Sequence, residues 1–491
     1  MQHGRATPIS FIVRLMVKVW EPKGSHGPSG PMLVRYHYGV ILLALLAAAW
    51  VAFGPPPVGL APIAQRTLGV FVLCAILWVT GVIPLQITSM LAIILLPLLD
   101  IMPSAEAFSL FGNSAVFFIL GAFILSAALV DSGLSLRLTC WVLNRYSSSA
   151  ARLRTVILLV AAFASCWMSE HAVAAMLFPV VMGLVKALGL KPRISRFGMS
   201  FFFALAWGCI IGGIATYLGG ARNPLAAGIL YAERGIHISF LGLITASLPI
   251  VVIILILAWL ILKYCFPEEP VDIEDARREL IKLQSQLGTL SSREIQIGLI
   301  SLGTIVAWIF FHTFFGLAPI ALLAVALLFI LRLVQWKDIE SNVNWGIILM
   351  YGGAIALGSA LHTSGASEWI VERTLGRYTF TPMQLIILLG VLSLTLTEFI
   401  SNVAVVSMMM PIGLGLASRY GIPPQAITLA IALPSGLSYM MPMGTPATAI
   451  AYSSGFMTQK EFLRYGTLMN FLSLGAFALV AWLYWPLIGL L

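Results

Sequence analysis

Two clusters of polar side chains interrupt long apolar runs of this chain. One is Ser165 with Ser169-Glu170-His171 in FASCWMSEHAVAAMLFP, residues 163–179; the other is Thr397 with Ser401-Asn402 in TLTEFISNVAVVSMMMP, residues 395–411. The hydroxyl and amide oxygens of Thr397, Ser401 and Asn402 are hard, neutral ligands of the kind that suit an alkali cation. A helix starting near Val403 offers free amide N–H groups to an anion. Glu170, and Arg222 further on, are charges in apolar surroundings, where each costs at least a few kcal/mol unless paired. Glu170 can pair with Arg222, the fixed guanidinium replacing a bound cation, or, with His171 beside it, take up protons. Glu398, three residues before Ser401, reads as a hydrogen-bond acceptor at a helix end.

The two clusters are one motif written twice. A shift of 232 positions carries Ser169, Ala172, Met176 and Pro179 onto Ser401, Ala404, Met408 and Pro411. The same shift carries Gly121, Ala122, Leu129, Ser132 and Gly133 onto Gly353, Ala354, Leu361, Ser364 and Gly365. In a membrane chain, repeats of this kind point to secondary transporters, where broken segments of two halves build a site near the bilayer midplane.

The elements that must position these residues are helices in a membrane. Of 491 residues 60% are apolar and 10% charged, with a mean hydropathy of +0.98, which excludes an ordinary soluble domain. Eleven crossings are expected, near residues 36–53, 64–82, 84–102, 114–132, 198–218, 240–265, 295–313, 317–333, 345–362, 425–450 and 466–490. The runs 153–189 and 383–418 carry the duplicated motif at their centres and read as re-entrant hairpins, each arm a half-membrane path. With the N-terminus cytoplasmic, inner segments then hold 22 Lys and Arg and outer segments 5, as the positive-inside rule requires. An odd number of crossings separates the repeats, which makes the repeat inverted. The net charge of +9 follows from that distribution and does not indicate nucleic acid.

Residues 1–33 show no cleavable signal peptide, and 9–20 read as an amphipathic surface helix. PEEPVDIEDARRELIKLQSQLGTLSSRE, residues 267–294, reads as a cytoplasmic linker helix with Ile273, Leu280, Leu283 and Leu287 on one face. The expected division is a cytoplasmic N-terminal segment (1–33), a first scaffold segment (34–148), a first transport segment with hairpin and broken helix (149–265), the linker (266–294), a second scaffold segment (295–378) and a second transport segment (379–491). The five cysteines form no C-x-x-C pair, so neither a disulfide framework nor a transition-metal site is expected, and no organic cofactor.

Two Gly/Pro-rich stretches follow the hairpins: GGIATYLGGARNP, residues 212–224, and YMMPMGTPATA, residues 439–449. They read as helix breaks that expose carbonyls and half-helix ends. S-x3-S-E-H with GGIATYLGGARNP, T-E-F-I-S-N-V with GTPATA, and VIPLQITSMLAIILLPLLDIMPSAEAF (82–108) together resemble the divalent anion sodium symporter family, from about residue 60 to the C-terminus. The resemblance implies an all-α polytopic membrane protein: an elevator-type transporter of a small anion, homodimeric, in a bacterial inner membrane. It implies a first sodium site at Ser165, Ser169, Glu170 and the Gly219 carbonyl. It implies a second at Thr397, the Ile400 carbonyl, Asn402 and the Gly444 carbonyl. Substrate carboxylates would meet Ser169, Ser401, Asn402, Thr445 and Pro446, with His171, Arg222 and Asn223 at the equivalent tip and loop positions.

The chain departs from the family where Ser-Asn-Thr becomes Ser169-Glu170-His171, where tip two ends in Val403, where Gly220-Ala221-Arg222-Asn223 replaces Thr-Pro-Pro-Asn, and where Thr448 replaces Asn. Both carboxylate-binding threonines are gone, so the substrate need not be a C4 dicarboxylate; His171 and Arg222 suggest a more highly charged anion, a sulfonate or sulfate. Coupling is expected through sodium at the second site. The alternatives are proton coupling, sodium-independent anion exchange, or a cation/proton antiporter or metalloid-anion exporter using Glu170. An intramembrane enzyme is disfavoured, because side chains at i and i+1 diverge on a helix and no H-E-x-x-H motif is present.

Overall fold

A computed structural model describes residues 31–340, 343–375 and 378–491, so the expected N-terminal segment and its amphipathic helix lie outside the described residues. The described chain is helical. In the first half run α1 (Pro31–Phe53), α2 (Pro62–Thr80), α3 (Leu85–Leu98), α4 (Ser114–Asp131), α5 (Leu134–Tyr146), α6 (Ala150–Trp167), α7 (Glu170–Ala187), α8 (Arg196–Gly213), α9 (Arg222–Arg234) and α10 (Phe240–Cys265). The linker forms α11 (Ile273–Gln286). The second half runs α12 (Ser292–Phe310), α13 (Leu317–Ile330), α14 (Trp345–Thr363), α15 (Ala366–Leu375), α16 (Pro382–Thr397), α17 (Asn402–Tyr420), α18 (Pro424–Ala432), α19 (Pro446–Tyr452) and α20 (Gln459–Leu483).

Ten helices among the described residues are long and apolar enough to cross a membrane. Large apolar side chains such as Leu43, Trp50, Leu299 and Phe310 remain on the outside of the molecule, where a soluble protein would carry charge. The chain is a multi-pass membrane protein. The distribution of spans differs from the eleven expected. Seven of the ten fall on expected crossings, and the other three are hairpin arms, α6, α7 and α17. The expected crossings 36–53, 84–102 and 317–333 are shorter apolar helices, and 425–450 is not one helix.

Both duplicated runs fold as two helices meeting at a turn, and the arms are longer than the half-membrane path expected of re-entrant hairpins. α6 and α7 have 18 residues each, about 27 Å at 1.5 Å per residue. The repeat is visible in the helix boundaries. α5, α6 and α7 begin at 134, 150 and 170, and α15, α16 and α17 at 366, 382 and 402, an offset of 232 each time. Gly133 and Gly365, immediately before α5 and α15, both hold positive φ, 82° and 76°, which only glycine adopts freely. The short helices α5 and α15 went unmarked in the sequence because neither is apolar enough to be read as a span.

The core is organised by α8, in which every residue from Phe197 to Gly213 is buried. Gly208 and Gly212 let it lie directly on α6: a Cβ at either would overlap the backbone carbonyl of Leu158 or Ala162. Small residues at such crossings supply the close packing that replaces the hydrophobic effect in lipid. α11 buries Ala276 and Leu280, with Arg277 paired to Glu274 on its outer side.

Candidate functional site

The two hairpin tips are the same local structure. Ser169 and Ser401 each sit in extended backbone as the N-cap of the returning helix, and their hydroxyls accept from the N–H groups of Ala172 (3.3 Å) and Ala404 (3.2 Å). Capping engages the Ala172 and Ala404 N–H groups, and in α7 the Glu170 N–H is taken as well, by the Gly219 carbonyl.

Both expected breaks are observed. α8 and α9 are separated by residues 214–221, and α18 and α19 by a 3-10 turn (Pro434–Gly436) and an irregular loop. In the first break the Asn223 amide donates to the carbonyls of Thr216 (2.9 Å) and Ile214 (3.3 Å). Asn223, expected beside substrate, therefore holds the loop together, and neither cavity described below is lined by it. The loop is pinned further by the Thr216 hydroxyl on the Cys166 carbonyl and the Tyr351 hydroxyl on the Ala221 carbonyl. In the second break Thr445 caps α19, and Thr448, standing for the family's Asn, completes the cap by accepting from the Thr445 N–H at 3.1 Å.

Glu398 ties tip two to the second break. Its buried carboxylate accepts from the N–H groups of Tyr439 (2.9 Å), Met440 (3.0 Å) and Met441 (2.9 Å), from the Ser438 hydroxyl (3.0 Å) and from the Asn470 amide (2.6 Å). Unwound backbone at depth needs partners for its N–H groups, and this carboxylate supplies them. The helix-end role read from the sequence is the right kind, although its partners belong to a different segment.

At the expected second cation site, the Thr397 hydroxyl lies 2.7 Å from both Asn402 Oδ1 and the Ser435 carbonyl. A hydroxyl has one proton and cannot donate to both, so this cluster has fewer protons than oxygen contacts. Ser435 was missed in the sequence; it lies within a buried apolar stretch with no motif around it. Ile400 and Gly444 line the adjoining cavity, and Gly444 is required because a side chain there would collide with the Ser438 hydroxyl.

At the expected first site, Ser165, Glu170 and Gly219 come together. The Glu170 N–H donates to the Gly219 carbonyl at 3.0 Å. Arg222 Nη1 is 3.5 Å from Glu170 Oε1, with both side chains buried. The guanidinium is walled by Gly213, Gly220 and Gly436; a Cβ at Gly220 or Gly436 would overlap it. Ser165 Oγ, Glu170 Oε2, Arg222 Nε and Arg222 Nη2 have no hydrogen-bond partner there. Gly436 belongs to the second break, so Arg222 spans the two halves of the chain.

Parts of both tips and both breaks meet at a cavity of about 620 Å³. Glu170 and His171 of tip one, Ala221 and Arg222 of the first break, Ser401 and Asn402 of tip two, and Thr445 and Pro446 of the second break all line it. Trp78, Ile83 and Leu85 of the α2–α3 region close one side. A second cavity, about 710 Å³, adjoins it, with His171, Ala221, Asn344 and Ile347 lining both and Ser169 lining the second.

The family defined by the sodium:sulfate symporter transmembrane region matches residues 35–491. The chain belongs to that family. Among relatives of this symporter-family chain, the sodium-dependent dicarboxylate transporter SdcS of Staphylococcus saprophyticus is 26% identical over 449 residues, covering 85% of this chain and 86% of the relative. SdcS of Staphylococcus aureus (strain USA300) is 27% identical over 451 residues, 86% of each. Solved structures share the fold. Neisseria gonorrhoeae MtrF, from a class of antimetabolite efflux pumps, superposes with a TM-score of 0.58 at 12% identity, over 96% of this chain and 97% of MtrF. The Alcanivorax borkumensis YdaH transporter gives 0.55 at 14%, over 78% and 88%.

Proposed function

We propose that this symporter-family chain is a secondary active transporter that moves a small anion together with sodium. The observation that carries this reading is the single cavity shared by both hairpin tips and both helix breaks. The second cation site is Thr397, Asn402 and the carbonyls of Ser435, Ile400 and Gly444, with the anion held by the first turns of α7 and α17, Ser401, Asn402, His171 and the Thr445–Pro446 corner. The first site is altered, with the Arg222 guanidinium fixed on Glu170 in place of a mobile cation. The two halves are inserted in opposite orientations with the N-terminus cytoplasmic, and the hairpins with their breaks form a unit that moves against a scaffold of α1–α5 and α12–α15, in a homodimer. The sodium dependence of the SdcS relatives supports the coupling ion.

Uptake of radiolabelled anions into proteoliposomes, with an inward gradient of sodium, of protons or of neither, tests this. Sodium-driven uptake lost in Thr397→Val is the expected result; uptake indifferent to sodium would remove it. A second reading, proton coupling or cation/proton antiport through Glu170, draws on the carboxylate oxygen Oε2, which is buried without a partner. Wild-type flux by Glu170→Gln at every pH would eliminate that reading.

A further inference from the structure

Resting on the anion-transport reading, we infer that the site is charge-matched to a monoanion with an apolar body, a single carboxylate or sulfonate on an aromatic or branched frame, and not to a compact dianion. Besides His171, three acidic or basic side chains line the central cavity, Glu170, Arg222 and Glu398; the first two face each other, with Glu170 Oε2 and Arg222 Nε and Nη2 outside that contact. Arg222 is 1% exposed, lies on Glu170, and is sealed by glycine on its faces. Glu398 is held by five donors. No lysine and no second arginine lines either cavity among the described residues. The suggestion that Arg222 favours a more highly charged anion therefore gives way to its opposite, because Glu170 cancels its charge.

What remains to balance the anion is one cation at the Thr397 cluster and the first turns of α7 and α17, each carrying roughly half a positive charge. Glu170 and Arg222 cancel and Glu398 keeps one negative charge beside the cavity, so a sodium ion and the two helix ends leave about one net positive charge, which a single negative group neutralises. A dianion would leave an uncompensated charge in a low-dielectric interior, the most expensive cargo to carry through a membrane. The apolar body of the anion has a place to go. Past His171, which lines both cavities, the second cavity is walled by Phe123, Val130, Met176 and Trp345.

Binding to the purified full-length protein is measured by thermal shift and calorimetry, in sodium or choline chloride, with phenylacetate, benzenesulfonate, succinate and sulfate. The expected result is sodium-dependent binding of phenylacetate or benzenesulfonate at least about tenfold tighter than succinate or sulfate, the effect of roughly one pairwise interaction. Glu170→Gln uncovers the guanidinium charge and shifts the preference toward succinate by a similar factor. Should that variant not fold, Met176→Lys adds a cation at the apolar end and brings in 1,4-phenylenediacetate, which wild type rejects. Succinate or sulfate binding as tightly as the monoanions in wild type overturns the inference alone, as does an unchanged preference in the folded variants. No binding by any anion in sodium overturns the transport reading beneath it.

Discussion

Arg222 shows how a single residue can be both costly and fixed in place. A guanidinium among apolar helices is tolerated because Glu170 faces it and three glycines leave it room. Removing one partner of a buried pair leaves an uncompensated charge, typically a loss of about 3–5 kcal/mol. Arg222→Ala should lower the unfolding midpoint sharply, Glu170→Ala should do the same, and the double variant should recover much of the loss. A thermal-denaturation double-mutant cycle checks this; additive losses would mean that the two side chains act independently. The charges and their pairing were legible in the sequence, since a lone acid and a lone base in apolar runs have few other partners. The wall was not. Gly436 lies 214 positions from Arg222, in a stretch whose sequence gives no sign that a side chain from the other half will rest on it.

At the scale of elements, the repeated Ser at the tips and the Gly/Pro clusters after them marked real turns and real breaks, because caps and breakers act locally. Arm lengths were harder to see. Apolar composition runs continuously from arm to arm, and only the extended residue before each cap shows where one helix stops. Glu398 was legible as an acceptor but not in its partners, which lie 40 to 72 positions downstream. Ser169 and Ser401 do the same capping work, so Ser169→Ala and Ser401→Ala should each destabilise the protein by about 1 kcal/mol. Denaturation of the two variants side by side measures it. A much larger loss at one tip would show that its hydroxyl has duties beyond the cap.

For the whole molecule, the proposed movement has a boundary where α14 meets α17. A Cβ on Gly358 would lie 3.5 Å from Pro411 Cγ, close enough for paired thiols to be joined. In a background lacking the five native cysteines, Gly358→Cys with Pro411→Cys should lose transport on oxidation or mercury treatment and regain it with dithiothreitol. Full flux in the joined protein would place both residues in one moving body and redraw the boundary. The family match over residues 35–491 and the shared fold agree with the helical class read from the sequence, while the division into fixed and moving bodies depends on relations between distant segments that no local pattern encodes.

The grip of Glu398 on residues 438–441 has one further consequence. A flap that swings open at its tip must let go of whatever lies beneath it, and here letting go would strand a carboxylate and three peptide nitrogens away from water. Tip two and the strip of chain below it therefore travel together or not at all; under the proposed transport reading this half has no private door, and release of the cargo depends on where the whole assembly comes to rest.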